Sequence, residues 1–520
     1  MASVERRWSP DGFSPGSSTS GDLERKSYGI SSKKTFFFGG TDFIIGPRIA
    51  PIPERLKNDE IYQGDDSGAA ILEKQLASEE GQAIQYRTCS WQKTAALLFS
   101  QFIALPAMSF PFAYSQLGLG LGLAVTAVAA VVSFYTSLII WEFCLRHPEA
   151  RDVCDIGQMI FGGKEWMWWV IAVVFVLNNI FAQGFSVLSG AQYLNTMTDN
   201  DIIGGCRTVE FAIILTIACW LASLPRTFSL VSKLGTISAL FTFAGYIVTV
   251  TFAAKQPSPA GYDPVGKGEP FLLIQLPAST TFSQGLTAVL TISVTIFGQI
   301  AVPSFVAEMR EPREFPKSLL VSVVAELVVF SVVGATIYAF TGQQYITSPA
   351  FGALQSVYKK ISFTFMVPTI LFVGALYASF TARFVFFRIF RDSKHTTGHT
   401  LVGWLSWSSI LLVSWISAFL IAEVVPFFSA LLSLSGALFM SWYGFIFWGV
   451  ACLRMRSVDR KVGRCNAPIY DFFLVTANSG LILAGIFCLT AGTYASIDVI
   501  EEAFRDGQVQ GVFSCKTNGI

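Results

Sequence analysis

Very few residues in the apolar parts of this chain can carry a charge or a proton. Glu326 is one of them, since it lies early in an apolar run, within the sequence VVAELVVF. A carboxylate among valines is costly unless it has a partner or binds a proton. A proton-coupled conformational step needs such a group, and we therefore interpret Glu326 as a candidate coupling carboxylate. A structural pair with a neighbouring helix, or a position near the cytosolic mouth, would also explain it.

Two apolar runs are interrupted by residues that break helices. Residues 297–317, FGQIAVPSFVAEMREPREFPK, contain Gly298 and Pro303 directly after an apolar stretch. Glycine adds backbone freedom, and proline removes a donor and clashes with the preceding turn. Residues 101–111, QFIALPAMSFP, contain two prolines inside an otherwise apolar segment. Non-helical backbone at membrane depth is tolerated only where it faces protein or a water-filled cavity, so both interruptions predict a solute site.

The two interruptions occupy matching places in the chain, which is typical of two five-helix halves of opposite orientation. The free backbone groups at each break could hold a zwitterion, with amide donors for its carboxylate and carbonyls for its ammonium group. An amino acid fits both ends, although either break alone could be a packing kink. We predict substrate-binding residues at Ala104, Leu105, Pro106, Ala107, Met108, Ser109, Phe297, Gly298, Gln299 and Ile300.

Three amides lie close together in the third apolar run, and Asn179 and Gln183 are one helical turn apart. They could line the predicted site or join helices by hydrogen bonds. We add Asn179 to the predicted substrate-binding residues and favour a helix-joining role for Asn178.

Composition places the chain in the class of polytopic membrane proteins. It is 52% hydrophobic and only 14% charged, with a mean hydropathy of +0.53, whereas soluble domains are about 25% charged. The net charge of +1 gives no reason to expect a nucleic-acid partner. The three histidines fall in expected loops and no CxxC pair is present, so we predict no metal site. The sequence shows no cluster of acid, base or metal-binding residues of the kind that an enzyme active site needs.

Eleven apolar segments are long enough to cross a bilayer core of about 30 Å. They lie near 93–115, 119–143, 166–193, 209–225, 229–254, 283–306, 318–341, 362–387, 400–421, 426–452 and 469–495. We therefore predict an all-α polytopic membrane protein with eleven transmembrane helices, arranged as a 5+5 inverted repeat plus one helix.

The basic residues orient these segments. Sixteen Lys and Arg residues lie in or beside the loops after even-numbered segments, against five after odd-numbered ones, and basic loops stay cytosolic. We predict a cytosolic, largely disordered tail at 1–91, a transmembrane domain at 92–495 and a non-cytosolic tail at 496–520. Cys206 and Cys515 would then share the non-cytosolic side, and we hypothesise a disulfide between them.

The quoted segments resemble a known family. The run AEMREPREFPK is similar to the hallmark that follows the sixth helix in the amino acid/auxin permease family, part of the APC superfamily. Further similarity to that family is found at 109–118, 155–162, 223–239 and 330–342. Similarity to a fungal branch, the neutral and aromatic amino acid permeases, is found at 87–95, 142–157, 177–196 and 403–410. One departure is Ala104-Leu105-Pro106, where many members have Gly-x-Gly.

The resemblance implies a leucine-transporter type of fold and coupled uptake of amino acids. In sodium-dependent relatives, the contact between the first and eighth helices holds the coupling cation, which points to the hydroxyls of Ser379 and Thr381. Those oxygens could hold sodium here, Arg383 could take the place of a cation, or the hydroxyls could bond their own helix. Glu308 belongs to the hallmark run and could pair with Arg310 or another cytosolic basic group, although solvation at a helix end also explains it.

We thus predict a secondary active transporter of neutral amino acids, including aromatic ones, driven by an ion gradient, expected to be H⁺, without a cofactor. Its expected partners are the amino acid substrate and membrane lipid; the oligomeric state is not predicted. We favour the plasma membrane over the vacuole. A sensor that binds an amino acid with little flux, a sodium-coupled carrier and a vacuolar carrier are the alternatives.

Overall fold

The computed structural model of the chain describes residues 47–50, 71, 74, 89–150, 152–198, 207–226, 228–390, 400–425, 427–463, 468–506 and 513. Within these residues the chain is helical, and the only strand-like pairing is an isolated bridge between Cys89 and Met309. The α-helices are α1 (Trp91–Phe102), α2 (Phe110–Leu117), α3 (Leu119–Arg146), α4 (Val153–Ile160), α5 (Glu165–Met197), α6 (Arg207–Ser223), α7 (Phe228–Lys255), α8 (Phe282–Ile296), α9 (Val302–Glu308), α10 (Phe315–Thr341), α11 (Ser356–Thr364), α12 (Val367–Ile389), α13 (Leu401–Val424), α14 (Phe428–Ser435), α15 (Phe447–Lys461) and α16 (Pro468–Arg505).

The first apolar segment is interrupted at the predicted prolines. Helix α1 ends at Phe102, a 3₁₀ turn runs over Leu105–Ser109, and α2 follows with a bend of 49° between the two parts. Pro106 and Pro111 lie in the first turns of the 3₁₀ segment and of α2. Proline is tolerated there because the first-turn N–H groups have no intrahelical partner.

The second interruption lies between α8 and α9. Thr281 and Gln284 form a capping box at the start of α8, which ends at Ile296. The chain resumes a helix at Val302, with Pro303 in its first turn. Both predicted interruptions are therefore present, at 103–104 and at 297–301.

Eight of the described helices or helix series are long and apolar enough to cross a membrane, and the bent α1–α2 pair would make a ninth. Two shorter apolar helices, Thr208–Ser223 and Phe282–Ile296, lie at the places of the fourth and sixth predicted segments. The structure is thus an all-α, multi-pass membrane protein, whereas the count of eleven crossings stays a prediction.

Several helix limits differ from the predicted ones. The predicted eighth segment, 362–387, begins inside the separate helix α11, because the chain turns at 365–366 before Pro368 opens α12. Helix α16 continues to Arg505, well past 495. The residues of the hypothesised disulfide, Cys206 and Cys515, lie outside the described residues, so the disulfide stays a hypothesis.

The helices pack in two groups. In the first, α1, α2, α3, α8, α9 and α10 pack among themselves, and in the second, α5, α6, α12 and α13 do so. Helix α7 touches α1 and α10 on one side and α12 on the other. Helix α14 likewise links the groups, because it packs on α5 and α8. Helix α15 packs on α3 and on α4, and α4 in turn packs on α5. Each interrupted helix belongs to the first group, at its boundary with the second.

Candidate functional site

A cavity of about 170 Å³ lies between the two helix groups, at the level of both interruptions. Since a single water needs only roughly 10–15 Å³ of such space, the cavity is large enough for a solute much bigger than a water molecule. The interruptions, α5, α12 and α14 form its walls. The lining residues are Gln101, Phe102, Ala104, Leu105, Pro106, Asn178, Phe181, Ala182, Phe185, Ser186, Ser189, Val294, Thr295, Phe297, Gly298, Ile300, Thr369, Ile370, Phe372, Val373, Leu376, Tyr377, Leu431, Leu432 and Ser435.

The wall of this cavity is uncharged and rich in aromatic rings. None of the lining residues is Asp, Glu, Lys or Arg. Six aromatic side chains, namely Phe102, Phe181, Phe185, Phe297, Phe372 and Tyr377, contribute to it. Such a wall favours a solute whose side chain is apolar and without net charge.

The first interruption presents unused amide donors to the cavity. The N–H groups of Ala104 and Leu105 donate to no described residue, although Pro106 can supply no donor. The carbonyl of Ala104 accepts the N–H of Ala107 at 3.1 Å and the hydroxyl of Tyr246, from α7, at 2.6 Å. The amides therefore remain available to an anionic group, while the Ala104 carbonyl is already engaged.

The second interruption presents a similar set. The N–H groups of Gly298, Gln299 and Ile300 donate to no described residue. A β-carbon on Gly298 would lie 2.0 Å from Cε1 of Phe102, so the two interruptions are in close contact at this glycine. Residues of both interruptions thus line one small space and have N–H groups without a described acceptor, which suits the carboxylate of a zwitterion.

Gln299 fixes the second interruption to α3. Its Nε2 donates to the hydroxyls of Ser133 and Thr136 at 3.0 and 3.1 Å, and the Ser133 hydroxyl donates to the carbonyl of Ile296 at 3.2 Å. Gln299 is buried and does not line the cavity. Its side chain holds the interruption in place, whereas its backbone N–H is free.

The other predicted binding residues divide between the cavity and the core. Ala104, Leu105, Pro106, Phe297, Gly298 and Ile300 line the cavity, whereas Ala107, Met108 and Ser109 are fully buried in the 3₁₀ turn away from it. Asn179 also lies behind the wall, and the neighbouring Asn178 lines the cavity instead. Adjacent helical residues point about 100° apart, so an error of one position changes which amide faces the solute.

A π-helix next to the cavity was not predicted. Residues Gly436–Ile446 form it between α14 and α15. A β-carbon on Gly444 would lie 2.7 Å from the ring of Phe297, and that ring packs edge-on against Phe445 at 4.9 Å. Such segments are rare and often mark functional sites, and here the segment holds a ring of the cavity wall.

Glu326 lies in α10, outside the cavity wall, and is 2% exposed. The hydroxyl of Ser322 donates to its Oε1 at 2.5 Å. No positively charged side chain among the described residues forms an ion pair with it. An ionised carboxylate in this position would be costly, and a bound proton removes that cost.

Of the remaining predicted coupling residues, Glu308 lies at the C-terminal end of α9, and the other three lie in α12. Glu308 is exposed at the end of α9, and the charges of Lys93 and Arg383 act on it. Arg383 also donates to the carbonyl of Arg226 at 3.0 Å.

The two hydroxyls predicted in α12 differ from each other. Thr381 bonds its own helix backbone, at the carbonyl of Tyr377. Ser379 is buried, and its hydroxyl has no hydrogen-bond partner among the described residues. Neither residue lines the cavity.

Removing the Tyr246 hydroxyl tests whether its hydrogen bond to the Ala104 carbonyl is needed to position the first interruption for solute binding. A Tyr246→Phe variant loses one hydrogen bond to the Ala104 carbonyl, a loss of about 1 kcal/mol, and we expect solute affinity to fall by roughly fivefold. Solute-dependent thermal stabilisation of the purified protein measures this. Tyr494→Phe, on the exposed face of α16, is the control; unchanged affinity in Tyr246→Phe would exclude a role for this contact.

Comparisons with known proteins agree with this architecture. A family model described as "Transmembrane amino acid transporter protein" matches residues 87–497. An N amino acid transport system protein of Neurospora crassa is 28% identical over 90% of this chain and 96% of its own length. A transmembrane transporter of Fusarium pseudograminearum is 27% identical over 86% of this chain and 90% of its own.

A solved structure of MHP1, a nucleobase-cation-symport-1 family transporter in a closed conformation with bromovinylhydantoin bound, covers 81% of this chain and 92% of its own. Its TM-score is 0.46 and its identity is 13%, which is too remote for an argument about the site. The family match, in contrast, covers most of the chain and includes both interrupted helices. The chain belongs to the transmembrane amino acid transporter family, whose members move amino acids across membranes.

Proposed function

We propose that this protein is a proton-coupled symporter of neutral amino acids, with aromatic ones among its substrates. The observation that carries the proposal is the uncharged cavity between two helix interruptions, because four of its lining residues, Ala104, Leu105, Gly298 and Ile300, have backbone N–H groups that donate to no described residue. A carboxylate can be bound there by amides alone, as at a helix N-terminus. No side-chain charge is needed for this.

The proposed preference for neutral solutes follows from the absence of charged residues in the cavity wall. A lysine or arginine substrate would bring a second positive charge into a cavity without a carboxylate, and an unpaired charge in such surroundings is strongly disfavoured. Aromatic rings of the wall can pack against an aromatic side chain in edge-on or offset geometry.

Glu326 is the proposed proton carrier. It is the buried carboxyl of α10, which packs against both parts of the first interrupted helix. A movement of α1 or α2 that brings water to Glu326 would let it release its proton, so protonation and helix position would be coupled. Ser379, Thr381 and Arg383 are the proposed alternative, a cation site in α12, and Glu308 is a proposed gate residue with Lys93 and Arg383.

The proposed orientation has the N-terminus in the cytosol, and the proposed location is the plasma membrane. The distribution of basic residues supports the proposed orientation, since sixteen of them lie in or beside the loops after even-numbered segments and basic loops stay cytosolic. Membrane lipid surrounds the protein, because many large apolar side chains of α5, α7, α13 and α16 are exposed on the outside of the helix groups.

Uptake into proteoliposomes tests this function. We expect radiolabelled phenylalanine or leucine to accumulate when the outside is more acidic than the lumen, and excess lysine to compete poorly. Binding without accumulation would instead indicate a sensor. Accumulation that follows a sodium gradient and not a pH gradient would transfer the coupling role to the hydroxyls of α12.

A further inference from the structure

A short part of the N-terminal region is attached to the loop that follows α3. Residues 47–50 lie about 100 positions before this loop in the chain and reach it through side chains and backbone. We call residues 47–50 the strap. Arg48 forms an ion pair with Glu149 through its Nη2, and its Nη1 donates to Oε2 of Glu149 at 3.3 Å. The side chain of Glu149 is fully buried.

His147 receives the backbone of the strap. The N–H of Ile49 donates to Nε2 of His147 at 3.0 Å, and Nδ1 of His147 lies 3.0 Å from Oε1 of Glu149. Because Nε2 accepts a hydrogen bond, the imidazole in this arrangement is neutral, with its proton on Nδ1. The ring is fully buried and stacks on Phe143.

The end of α3, directly before this loop, is joined to α15. Arg146, at the end of α3, donates to both carboxylate oxygens of Asp459 in α15, at 2.8 and 2.9 Å. Glu142 and Arg456 complete this cluster, since Glu142 pairs with both arginines and Arg456 with Asp459. Helix α15 also packs on α4, and α4 packs on α5 of the second group. Strap, α3, α15 and α4 thus form one connected series between the groups.

We propose that the strap is a latch: when it is docked on His147 and Glu149 it restrains the movement of α3 against α15, and acidification of its compartment releases it. Removing Arg48 would leave Glu149 buried with only His147 beside it, and an uncompensated buried charge is strongly destabilising. The docked loop therefore depends on the strap. Movement of the first group relative to the second, which alternating access requires, strains the same connections.

The acid sensitivity follows from His147. Burial lowers the pKa of His147, as do the charges of Arg48 and Arg146, and the contacts with Glu149 oppose this without reversing it. Burial would raise the pKa of Glu149, but His147 and Arg48 lower it overall. Both docked groups thus favour their deprotonated forms, so docking is strongest above the ordinary histidine pKa of about 6.5 and weakens as the pH falls below it.

Of the charged groups that face His147, Arg48 and Arg146 act in this direction and Glu149 opposes it. Glu149 lies on the same loop, Arg48 on the strap and Arg146 on α3; the carboxylates of Glu142 and Asp459 are occupied by Arg146 and Arg456. A proton on Nε2 would face the Ile49 N–H, two donors without an acceptor between them. A charged His147 would also compete with Arg48 for Glu149.

Hydrogen exchange at the Ile49 amide tests the latch directly. In the full-length protein in nanodiscs at pH 7.5, we expect its protection factor to exceed that of an open chain by about tenfold or more. Arg48→Ala should abolish this protection, as should a change to pH 5.5, since protection factors already correct for the effect of pH on intrinsic exchange. Lys164→Ala, which removes an exposed cation directly before α5, is the control and should leave the protection of Ile49 unchanged.

Solute exchange in proteoliposomes tests the restraint. If the latch limits opening, Arg48→Ala should raise the exchange rate by about threefold or more, because opening steps often set turnover. The solute-exchange measurement depends on the proposed transport function, whereas the hydrogen-exchange measurement at the Ile49 amide does not. The latch and the transport function can therefore fail separately. An unprotected Ile49 amide in the wild-type protein at pH 7.5 would overturn the latch. So would an Arg48→Ala variant that loses this amide protection while its rate of solute exchange stays unchanged.

Discussion

A Glu326→Gln variant is expected to exchange amino acids across the membrane but to lose accumulation driven by a pH gradient. Glutamine preserves the shape of the side chain and can still accept the hydrogen bond from Ser322, but it cannot carry a proton. With one proton per solute, a gradient of one pH unit supports an accumulation ratio of about ten, because one unit is worth 1.36 kcal/mol. In the variant this ratio should fall to about one.

Two assays on the same proteoliposomes separate the coupling role from a folding defect. Counterflow measures exchange without a gradient, and uptake under an imposed pH gradient measures coupling. Glu165→Gln, at the exposed start of α5, is the control and should behave as wild type in both. An equal loss of exchange and accumulation in Glu326→Gln, or no loss of either, would exclude Glu326 as the proton carrier.

A Gly298→Ala variant is expected to weaken the binding of aromatic amino acids by about tenfold or more. The new β-carbon would lie 2.0 Å from Cε1 and 2.4 Å from Cζ of Phe102, so the ring must shift, and Phe102 lines the cavity. Overpacking of this kind costs about 1–3 kcal/mol. A small solute such as alanine should be affected less than phenylalanine.

A second substitution should reverse this effect. Phe102→Leu removes the atoms that the new methyl group meets, so Gly298→Ala/Phe102→Leu should bind aromatic solutes better than the single glycine variant, which is the non-additivity expected of residues in contact. Gly480→Ala is a suitable control, because a β-carbon there meets nothing within 4 Å. If Gly298→Ala binds phenylalanine as the wild type does, the contact between the two interruptions does not shape the site.

The sequence predicted the elements that are set by local chemistry. Proline and glycine mark both interruptions, and long apolar runs mark the helices, because these properties act over a few residues. The predicted order of an interrupted first helix and an interrupted sixth helix agrees with the structure. The division between α11 and α12 was missed because the apolar run continues across it.

Features that depend on rotation or on distant contacts could not be predicted in the same way. Whether Asn178 or Asn179 faces the cavity depends on the rotation of α5, which its neighbours set. The π-helix requires a shift in hydrogen bonding that no local composition specifies. The contact between Arg48 and Glu149 joins positions 101 residues apart, and no periodic pattern links them.

A cryo-EM structure of the protein in nanodiscs with bound phenylalanine would show whether the amino acid binds between the two helix interruptions. We expect density for the amino acid between the two interruptions, with its carboxylate about 3 Å from free N–H groups among Ala104, Leu105, Gly298 and Ile300, and its ring against the aromatic wall. Density at another place, or first and sixth helices that run without interruption and enclose no common cavity, would contradict it.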